Sequence, residues 1–210
     1  MKYVKGVLSC SNDPILLLDC GADIGLVSVV LASTCSCIKQ IVAFEPNPNS
    51  FRYLARNMDL LPIEAEAKNA AVADFVGKGE LRLYHDPDDT AAFIAPSKQG
   101  NVEVTRIDDC DLADDYRILL KVDVEGGELA VIRGATRTLS RSRSFVVVFE
   151  AHRDQVKRSG IDPVETISLL KSLRPCRIRV VGELNCEVTL DKPFFDQFPD
   201  RIYNICAHSE

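Results

Sequence analysis

The sequence predicts an α/β protein in which helices cover both faces of a mostly parallel β-sheet. Three observations support this fold class: short apolar runs alternate with helical patterns, a glycine-containing turn follows the first run, and acidic residues end the later runs. Nearly continuous apolar runs indicate strands buried on both faces, which requires a layer of helices on each side. We expect a single domain over residues 1–210, a length that allows one sizeable core.

Helical patterns separate the predicted strands in a regular rhythm. The strands are predicted at residues 15–20, 41–45, 118–122 and 145–150, with two final strands at 177–181 and 202–207. The helical patterns lie at residues 24–32, after Asn47 and Pro48, on the shared face of Leu129, Ile132 and Leu139, and after Asp162. Asn47 and Pro48 have the residue types of an N-cap and a first helical position, and Asp162 with Glu165 forms a capping-box pattern.

The segment 77–106 interrupts this rhythm. It contains a predicted strand at 80–84, then a polar stretch rich in Asp, Pro, Ser and Gly, and a second predicted strand at 102–106. We predict a hairpin-like insertion with a mobile tip at about residues 86–100.

The composition disfavours several kinds of partner. The formal net charge of -6 argues against nucleic acid, which clustered Lys and Arg residues normally bind. No run of about 18 apolar residues occurs, so we predict no membrane span. The first residues lack a signal-peptide pattern, which predicts a cytoplasmic protein. The eight cysteines are scattered without zinc-ligand spacing, so we expect free thiols and no metal site.

The strongest functional signal is the turn after the first predicted strand. Asp19 ends the strand, Gly21 lies in the turn, and Gly25 comes where the next helix begins. Glycine allows the backbone to approach a ligand closely, although any α/β protein also needs tight turns for purely structural reasons. Glu45 strengthens the ligand hypothesis because it ends the next strand, 20 residues after Gly25, where a carboxylate can accept hydrogen bonds from ribose hydroxyls.

The same turn distinguishes between two nucleotide-like ligands. A dinucleotide-binding turn has the pattern G-x-G-x-x-G, in which the second glycine lets the pyrophosphate approach. Asp23 occupies that position here, and its carboxylate would repel a pyrophosphate. A cationic sulfonium ligand suits the carboxylates of Asp19 and Asp23 better. We therefore predict S-adenosylmethionine as the cofactor, and a nicotinamide-dependent oxidoreductase is the weaker alternative.

Two acidic clusters at the ends of later strands provide candidate catalytic residues. Asp123 and Glu125 follow the third predicted strand, and Glu150 and His152 end the fourth. Residues two apart on a strand point to the same side, so each pair can face one site. We predict that one of these four side chains acts as a base. Two alternatives remain open: the acids stabilise helix starts, or Asp123 and Glu150 bind Mg²⁺.

These motifs together resemble the FkbM family of methyltransferases. The segments that carry the resemblance are DCGADIG (19–25), FEPNPNSFRYLARN (44–57), KNAAV (68–72), RIDD (106–109), KVDVEGGEL (121–129) and VVFEAH (147–152). The resemblance implies a Rossmann-like class I methyltransferase with a seven-stranded sheet, S-adenosylmethionine as methyl donor and usually an oxygen acceptor. The family usually has Asn where this chain has Asp23.

The resemblance also implies roles for individual residues. Asp19, Gly21 and Gly25 would line the methionine and ribose end of the cofactor, and Glu45 would hold the ribose hydroxyls. The other residues expected to bind cofactor are Asp23, Pro46, Asn69 and Ala70, with Asn69 near the adenine. Asp123 and Glu125 would lie near the transferred methyl group.

The sequence therefore predicts an S-adenosylmethionine-dependent methyltransferase that methylates a hydroxyl of a small molecule or sugar by in-line transfer. The main alternative is a non-catalytic domain that binds S-adenosylmethionine and a protein partner. The short segment before the first strand suggests a homodimer, in which a partner subunit or the tip at 86–100 covers the acceptor.

Overall fold

Strands and helices alternate through residues 13–83, 92–112, 115–183 and 187–209, which are the parts of the chain that the computed structural model describes. The strands are β1 (Ile15–Cys20), β2 (Ile38–Phe44), β3 (Glu64–Lys68), β4 (Ala71–Val72), β5 (Gly77–Leu83), β6 (Ala92–Pro96), β7 (Val102–Thr105), β8 (Arg117–Val122), β9 (Phe145–His152), β10 (Cys176–Val180) and β11 (Ile202–Ser209). The helices are α1 (Leu26–Thr34), α2 (Pro48–Asp59), α3 (Glu128–Arg133), α4 (Thr136–Arg141), α5 (Arg153–Ser159), α6 (Pro163–Leu173) and α7 (Phe194–Gln197), with a 3₁₀ turn at Ile107–Asp109.

A seven-stranded sheet forms the centre of the fold. Its strand order is β10-β11-β9-β8-β1-β2-β3. The strands from β9 to β3 run parallel to their neighbours, whereas β11 runs antiparallel to both β9 and β10. Every residue of β1 is buried, as a central strand covered on both faces requires. The predicted α/β class and seven-stranded, mostly parallel sheet are therefore confirmed.

Apolar side chains from the two faces of β1 enter two separate layers of the core. Leu16 and Leu18 pack in a cluster that includes residues of α3, α4 and α6, whereas Leu17 packs in a cluster with Leu31 of α1 and Leu54 of α2. Adjacent strand residues point to opposite faces, so one continuous apolar run supplies both layers. Burying each leucine stabilises the fold by about 1.5–3 kcal/mol.

The helix starts follow the sequence patterns closely. The Asn47 side chain accepts a hydrogen bond of 2.9 Å from the backbone N–H of Asn49, and Pro48 is the first residue of α2. Asp162 and Glu165 form both hydrogen bonds of the capping box at the start of α6. These caps satisfy N–H groups that have no partner inside the helix, and they depend only on neighbouring residues.

The helical pattern around Leu129, Ile132 and Leu139 is divided into α3 and α4. All three side chains are buried as predicted, but the helix is interrupted at Gly134. A Cβ atom at Gly134 would lie 2.0 Å from the carbonyl oxygen of Ala73, so only glycine allows this close approach. The break therefore comes from a contact with a distant segment.

The segment 77–106 belongs to a second sheet with strand order β4-β7-β5-β6. β5 and β7 pair antiparallel, and β6 lies between them in the sequence. The prediction of a loop throughout 86–100 is wrong, because Ala92–Pro96 forms β6 and pairs antiparallel with β5. The prediction missed this strand because it is short and lies among Pro, Ser and Gly residues. The rest of the predicted tip, residues 86–91, and Tyr84 lie outside the described residues.

The structure describes six of the eight cysteines. Cys20, Cys35, Cys37, Cys110, Cys176 and Cys206 are free thiols, and Cys10 and Cys186 lie outside the described residues. Burial raises the pKa of the Cys206 thiol to about 12, which keeps it protonated. None of the described helices is long and apolar enough to cross a membrane.

Asp108 connects the 3₁₀ turn to α4. Its carboxylate accepts hydrogen bonds from the backbone N–H groups of Arg137 (2.9 Å) and Thr138 (2.8 Å) and from the Thr138 hydroxyl (2.8 Å). We expect Asp108→Ala to lower the free energy of unfolding by about 1–2 kcal/mol, because the N–H groups at the start of α4 lose their hydrogen-bond acceptor. The matched control is Asp109→Ala, whose exposed ion pairs contribute less than about 1 kcal/mol. Urea denaturation measures both, and equal losses would contradict the capping role.

Candidate functional site

A cleft of about 820 Å³ lies at the carboxyl edge of the parallel strands. Open α/β sheets usually bind their ligands at this edge. The central sheet contributes the turn after β1 and the loops after β2 and β8, and α5 adds a helical wall. The second sheet forms the remaining wall, which is largely apolar and contains Val72, Phe75, Leu81, Ile94 and Pro96.

The turn after β1 reaches the end of β8. Gly21 has φ of +73°, and a Cβ atom there would lie 1.8 Å from the carbonyl oxygen of Asp123. A side chain at this position would therefore require a rearrangement of the turn. The backbone N–H groups of Gly21 and Ala22 both donate to the carbonyl oxygen of Phe44, at 3.0 Å each. These bonds join the turn to the end of β2.

Glu45 connects the turn to the loop after β2. Its Oε2 accepts a hydrogen bond of 2.8 Å from the backbone N–H of Asp23, and its Oε1 accepts one of 2.8 Å from Asn47. Burial raises the pKa of Glu45, and these two N–H donors oppose that effect. A carboxylate has about four acceptor positions, so two remain for hydroxyl groups. The structure thus brings Asp23 and Glu45 into direct contact at the cleft.

Asp19 lies behind the turn, fully buried in the sheet. Its Oδ2 accepts a hydrogen bond of 2.6 Å from the Ser28 hydroxyl, and its Oδ1 is 3.1 Å from Nζ of Lys121. Burial alone would lower the pKa of Lys121, but the charges of Asp19 and Asp123 outweigh it and raise the pKa. The Asp19 carboxylate is thus neutralised within the protein, and the cleft is lined instead by the carboxylates of Asp23 and Asp123.

The structure places the other predicted cofactor residues in two groups. Pro46 and Ala70 line the cleft. The Asn69 amide donates to the carbonyl oxygen of Glu45 (2.8 Å) and to that of Pro46 (3.3 Å), so it fixes the loop that carries them. Gly25 is the N-cap residue of α1, where a Cβ atom would lie 2.8 Å from a methyl group of Leu54. Gly25 therefore allows α1 and α2 to pack closely.

The candidate catalytic residues lie in two adjoining cavities. Asp123 and Glu125 line the cleft, and Glu150 and His152 line a smaller cavity of about 20 Å³ next to it. Burial, followed by the negative charges of Asp123 and Glu125, raises the pKa of Glu150 to about 7. Nδ1 of His152 accepts a hydrogen bond of 3.1 Å from the backbone N–H of Asp154, which makes His152 the N-cap of α5.

Among the described residues, no three His, Cys, Asp or Glu side chains are placed together to hold a metal ion. Asp123 and Glu150, the pair considered for Mg²⁺, influence each other electrostatically across the boundary between the cavities.

Several residues at the site were not identified as functional from the sequence. Lys121 had a recognisable signal, because a lysine inside an apolar strand is rarely buried without a partner. Ser28 is a polar residue inside the apolar helix α1, which is a weaker signal of the same kind. Gln155 and Arg158 line the cleft from α5, but they look like ordinary polar residues of a surface helix.

The fold and the site together define a class I methyltransferase architecture. The strand order, with antiparallel β11 inserted between β9 and β10, places the cleft at the carboxyl edge of β1, β2 and β8. The chain belongs to the FkbM methyltransferase family: the model of the methyltransferase FkbM domain matches residues 19–205. The resemblance seen in the sequence is therefore confirmed.

Individual relatives are more distant. The chain is 27% identical over 175 residues to the hexuronic acid methyltransferase AglP of Haloferax volcanii. The aligned region covers 81% of this chain and 67% of the relative. The crystal structure of a methyltransferase FkbM from Methylobacillus flagellatus matches with a TM-score of 0.61 and 18% identity, over 94% of this chain but only 44% of that protein. A SAM-dependent O-methyltransferase from Thermotoga maritima matches with a TM-score of 0.52 and 14% identity, over 99% of this chain and 63% of that protein.

The raised pKa of Glu150 predicts a pH-dependent effect on stability. The folded protein binds the Glu150 proton more tightly than the unfolded chain, so stability falls as the pH rises from about 4.5 toward 7. Glutamine cannot ionise and avoids this loss. We expect Glu150→Gln to have a higher free energy of unfolding than the wild type at pH 8.5. This difference in free energy should become smaller as the pH falls to 5.5.

Urea denaturation at several pH values measures this difference. The control is Glu64→Gln, which changes an exposed carboxylate on β3. A stability difference for Glu150→Gln that is the same at pH 5.5 and 8.5 would show that Glu150 has no unusual affinity for its proton.

Proposed function

We propose that this chain is an S-adenosylmethionine-dependent methyltransferase that transfers a methyl group to a hydroxyl oxygen of a sugar or related small molecule. The observation that carries the proposal is the contact between Asp23 and Glu45 at the cleft, 2.8 Å from backbone nitrogen to carboxylate oxygen. It joins the glycine turn to the carboxylate that would bind the ribose. Membership of the FkbM family supports the same donor.

The chemistry of the cleft fits a cationic cofactor. Five carboxylates line it, and among the described lining residues Arg158 alone carries a positive charge. The acidic lining residues are Asp23, Glu45, Asp74, Asp123 and Glu125. A sulfonium with an ammonium group is attracted to such a surface, whereas a pyrophosphate is repelled. The volume of about 820 Å³ leaves room for an acceptor beside the cofactor.

The residues of the site divide into those that would contact the cofactor and those that support them. In this proposal Gly21, Asp23, Glu45, Pro46 and Ala70 contact it, with Glu45 holding the ribose hydroxyls. Three others support these residues without contacting the cofactor. Asp19 does so through its contacts with Lys121 and Ser28, and Asn69 fixes the loop that carries Glu45. Gly25 allows α1 to pack closely on α2.

S-adenosylmethionine supplies an activated methyl group that an aligned oxygen can attack in line. The protein's part is to orient the acceptor, exclude water and accept the hydroxyl proton. Asp123 and Glu125 line the cleft, and in this proposal one of them accepts that proton. Glu150 adjoins them in the smaller cavity, and the Nδ1 lone pair of His152 is engaged in capping α5.

Arg158 favours an acceptor that carries a carboxylate. Its guanidinium can form a bidentate pair with a planar anion. It lies on α5, three residues after Gln155, which contacts Glu125. The name of the Haloferax volcanii relative, a hexuronic acid methyltransferase, is consistent with this acceptor class.

Calorimetry with S-adenosylhomocysteine tests the cofactor site. We expect the wild type to bind it and not NADH. Glu45→Gln should weaken binding by about tenfold and Glu45→Ala by up to about a hundredfold, because a hydrogen bond to a charged group contributes about 1.5–3 kcal/mol. Glu64→Gln, on the neighbouring strand, should bind normally. Near-normal affinity in both Glu45 variants would contradict the cofactor placement.

Methylation assays with glucuronic acid and glucose test the acceptor class. We expect Arg158→Leu to raise KM for the acid by about ten- to a hundredfold with little effect on the neutral sugar, because only the acid loses a charge-assisted pair. For Arg158→Lys, we expect a KM for glucuronic acid between that of the wild type and that of Arg158→Leu. The control Arg137→Leu removes an exposed arginine of α4 that lies 3.9 Å from Asp109.

An unchanged preference in Arg158→Leu would refute carboxylate recognition by this residue. Tight binding of S-adenosylhomocysteine without methylation of any acceptor would favour a non-catalytic binding domain.

A further inference from the structure

Gln155 connects α5 to the acidic end of the cleft. Only 4% of its surface is exposed, and its Nε2 donates a hydrogen bond of 2.9 Å to Oε2 of Glu125. Burying an amide is unfavourable unless the amide is hydrogen-bonded, so this contact fixes the positions of both groups. Gln155 lines both the cleft and the smaller cavity that contains Glu150. It therefore lies at the boundary between the two carboxylates.

The backbone of Glu125 has a conformation that few residues other than glycine adopt. Its φ is +58°, and Gly126 follows with φ of +104°. Such a conformation persists only where the surrounding structure holds it, and it occurs often at functional sites. The bond from Gln155 holds the far end of the Glu125 side chain, and the residue lines the cleft.

The hydrogen bond also distinguishes Glu125 from Glu150. A donor that bonds a carboxylate favours its ionised form. Gln155 gives such a donor to Glu125, and within the described residues Glu150 receives none. Burial and the charges of Asp123 and Glu125 raise the pKa of Glu150 to about 7. The hydrogen bond from Gln155 therefore favours the ionised form of Glu125, which is the form that can accept a proton.

We propose that Gln155 is a positioning residue that keeps the Glu125 carboxylate ionised and aimed into the cleft, where Glu125 accepts the hydroxyl proton of the methyl acceptor. The inference rests on the proposed methyltransferase function. In the reaction the acceptor oxygen forms a bond to the methyl carbon, and the carbon–sulfur bond breaks with its electron pair left on sulfur. The acceptor's O–H bond breaks, and its proton moves to the Glu125 carboxylate.

Other titratable and charged groups line the two cavities beside Glu125 or act on Glu150. They are Lys121 and Asp123 at the end of β8, Glu128 at the start of α3, Glu150 and His152 on β9, and Arg158 on α5. All of them remain in the variants used below, so a change in titration is due to the amide of Gln155.

A titration of the unliganded protein tests the positioning role without turnover. We label the glutamate δ-carbons with ¹³C and identify the Glu125 signal by its absence in Glu125→Gln. In Gln155→Leu we expect the midpoint of the Glu125 titration to rise by about one pH unit, because the ionised form loses one hydrogen-bond donor. The control Gln40→Leu removes a similar bond, 2.8 Å from Gln40 to Glu64, away from the cleft and should leave the midpoint unchanged.

Kinetics provide a second and independent measurement. We expect Gln155→Leu to lower kcat by about tenfold, to leave KM for S-adenosylmethionine within about twofold, and to move the acidic limb of the kcat profile to higher pH. In a Glu125→Gln background the same change should have no further effect on kcat. An unchanged Glu125 midpoint, or an equal loss of kcat in both backgrounds, would overturn the proposal.

Gln155→Glu carries the test if the leucine variant does not fold, because it keeps the size and polarity of the side chain. It adds a further carboxyl group next to Glu125, so we expect a larger rise in the midpoint of the Glu125 titration. No rise would overturn the proposal. A wild type that methylates no acceptor would contradict the proposed function alone, since the titration still reports whether Gln155 controls Glu125.

Discussion

The partly buried ammonium group of Lys121 holds together the two strand ends on which the cleft is built. Its Nζ lies 3.1 Å from Oδ1 of Asp19 and 2.8 Å from the carbonyl oxygen of Gly21. Removing one partner of a buried ion pair typically costs about 3–5 kcal/mol, because the other charge is left without compensation. The ends of β1 and β8 are therefore fixed relative to each other, and the turn that carries Asp23 begins at this fixed point.

The central fold was predictable because its signals are local. The run at 15–20 is apolar except for Asp19, and it matches β1 residue for residue. The capping box at Asp162 needs only a carboxylate and a glutamate three residues apart. The break at Gly134 was not predictable, because it depends on the carbonyl oxygen of Ala73, a residue far away in the sequence. The strand β6 was missed for a related reason, since its pairing with β5 gives it a structure that its composition does not suggest.

The site was predictable only in part. The spacing from the glycine turn to Glu45 follows from the geometry of parallel strands, so the sequence places both at one edge. Sequence alone could not show that Asp19 is neutralised by Lys121, because the two residues meet across neighbouring strands. Gln155 gave no signal, since a polar residue on a short helix usually faces solvent. Roles of this kind depend on which distant residue a side chain reaches.

The wall formed by the second sheet has a consequence for how the protein can change. Leu81, Ile94 and Pro96 belong to β5 and β6, which among the described strands pair with each other and, through β5, with β7. Gly21 and Glu45 instead follow strands of the central sheet. Evolution can therefore reshape the apolar wall without disturbing the opposite half of the cleft. An engineer could do the same by grafting β5 and β6 from a relative, which would make this sheet an interchangeable module of the fold.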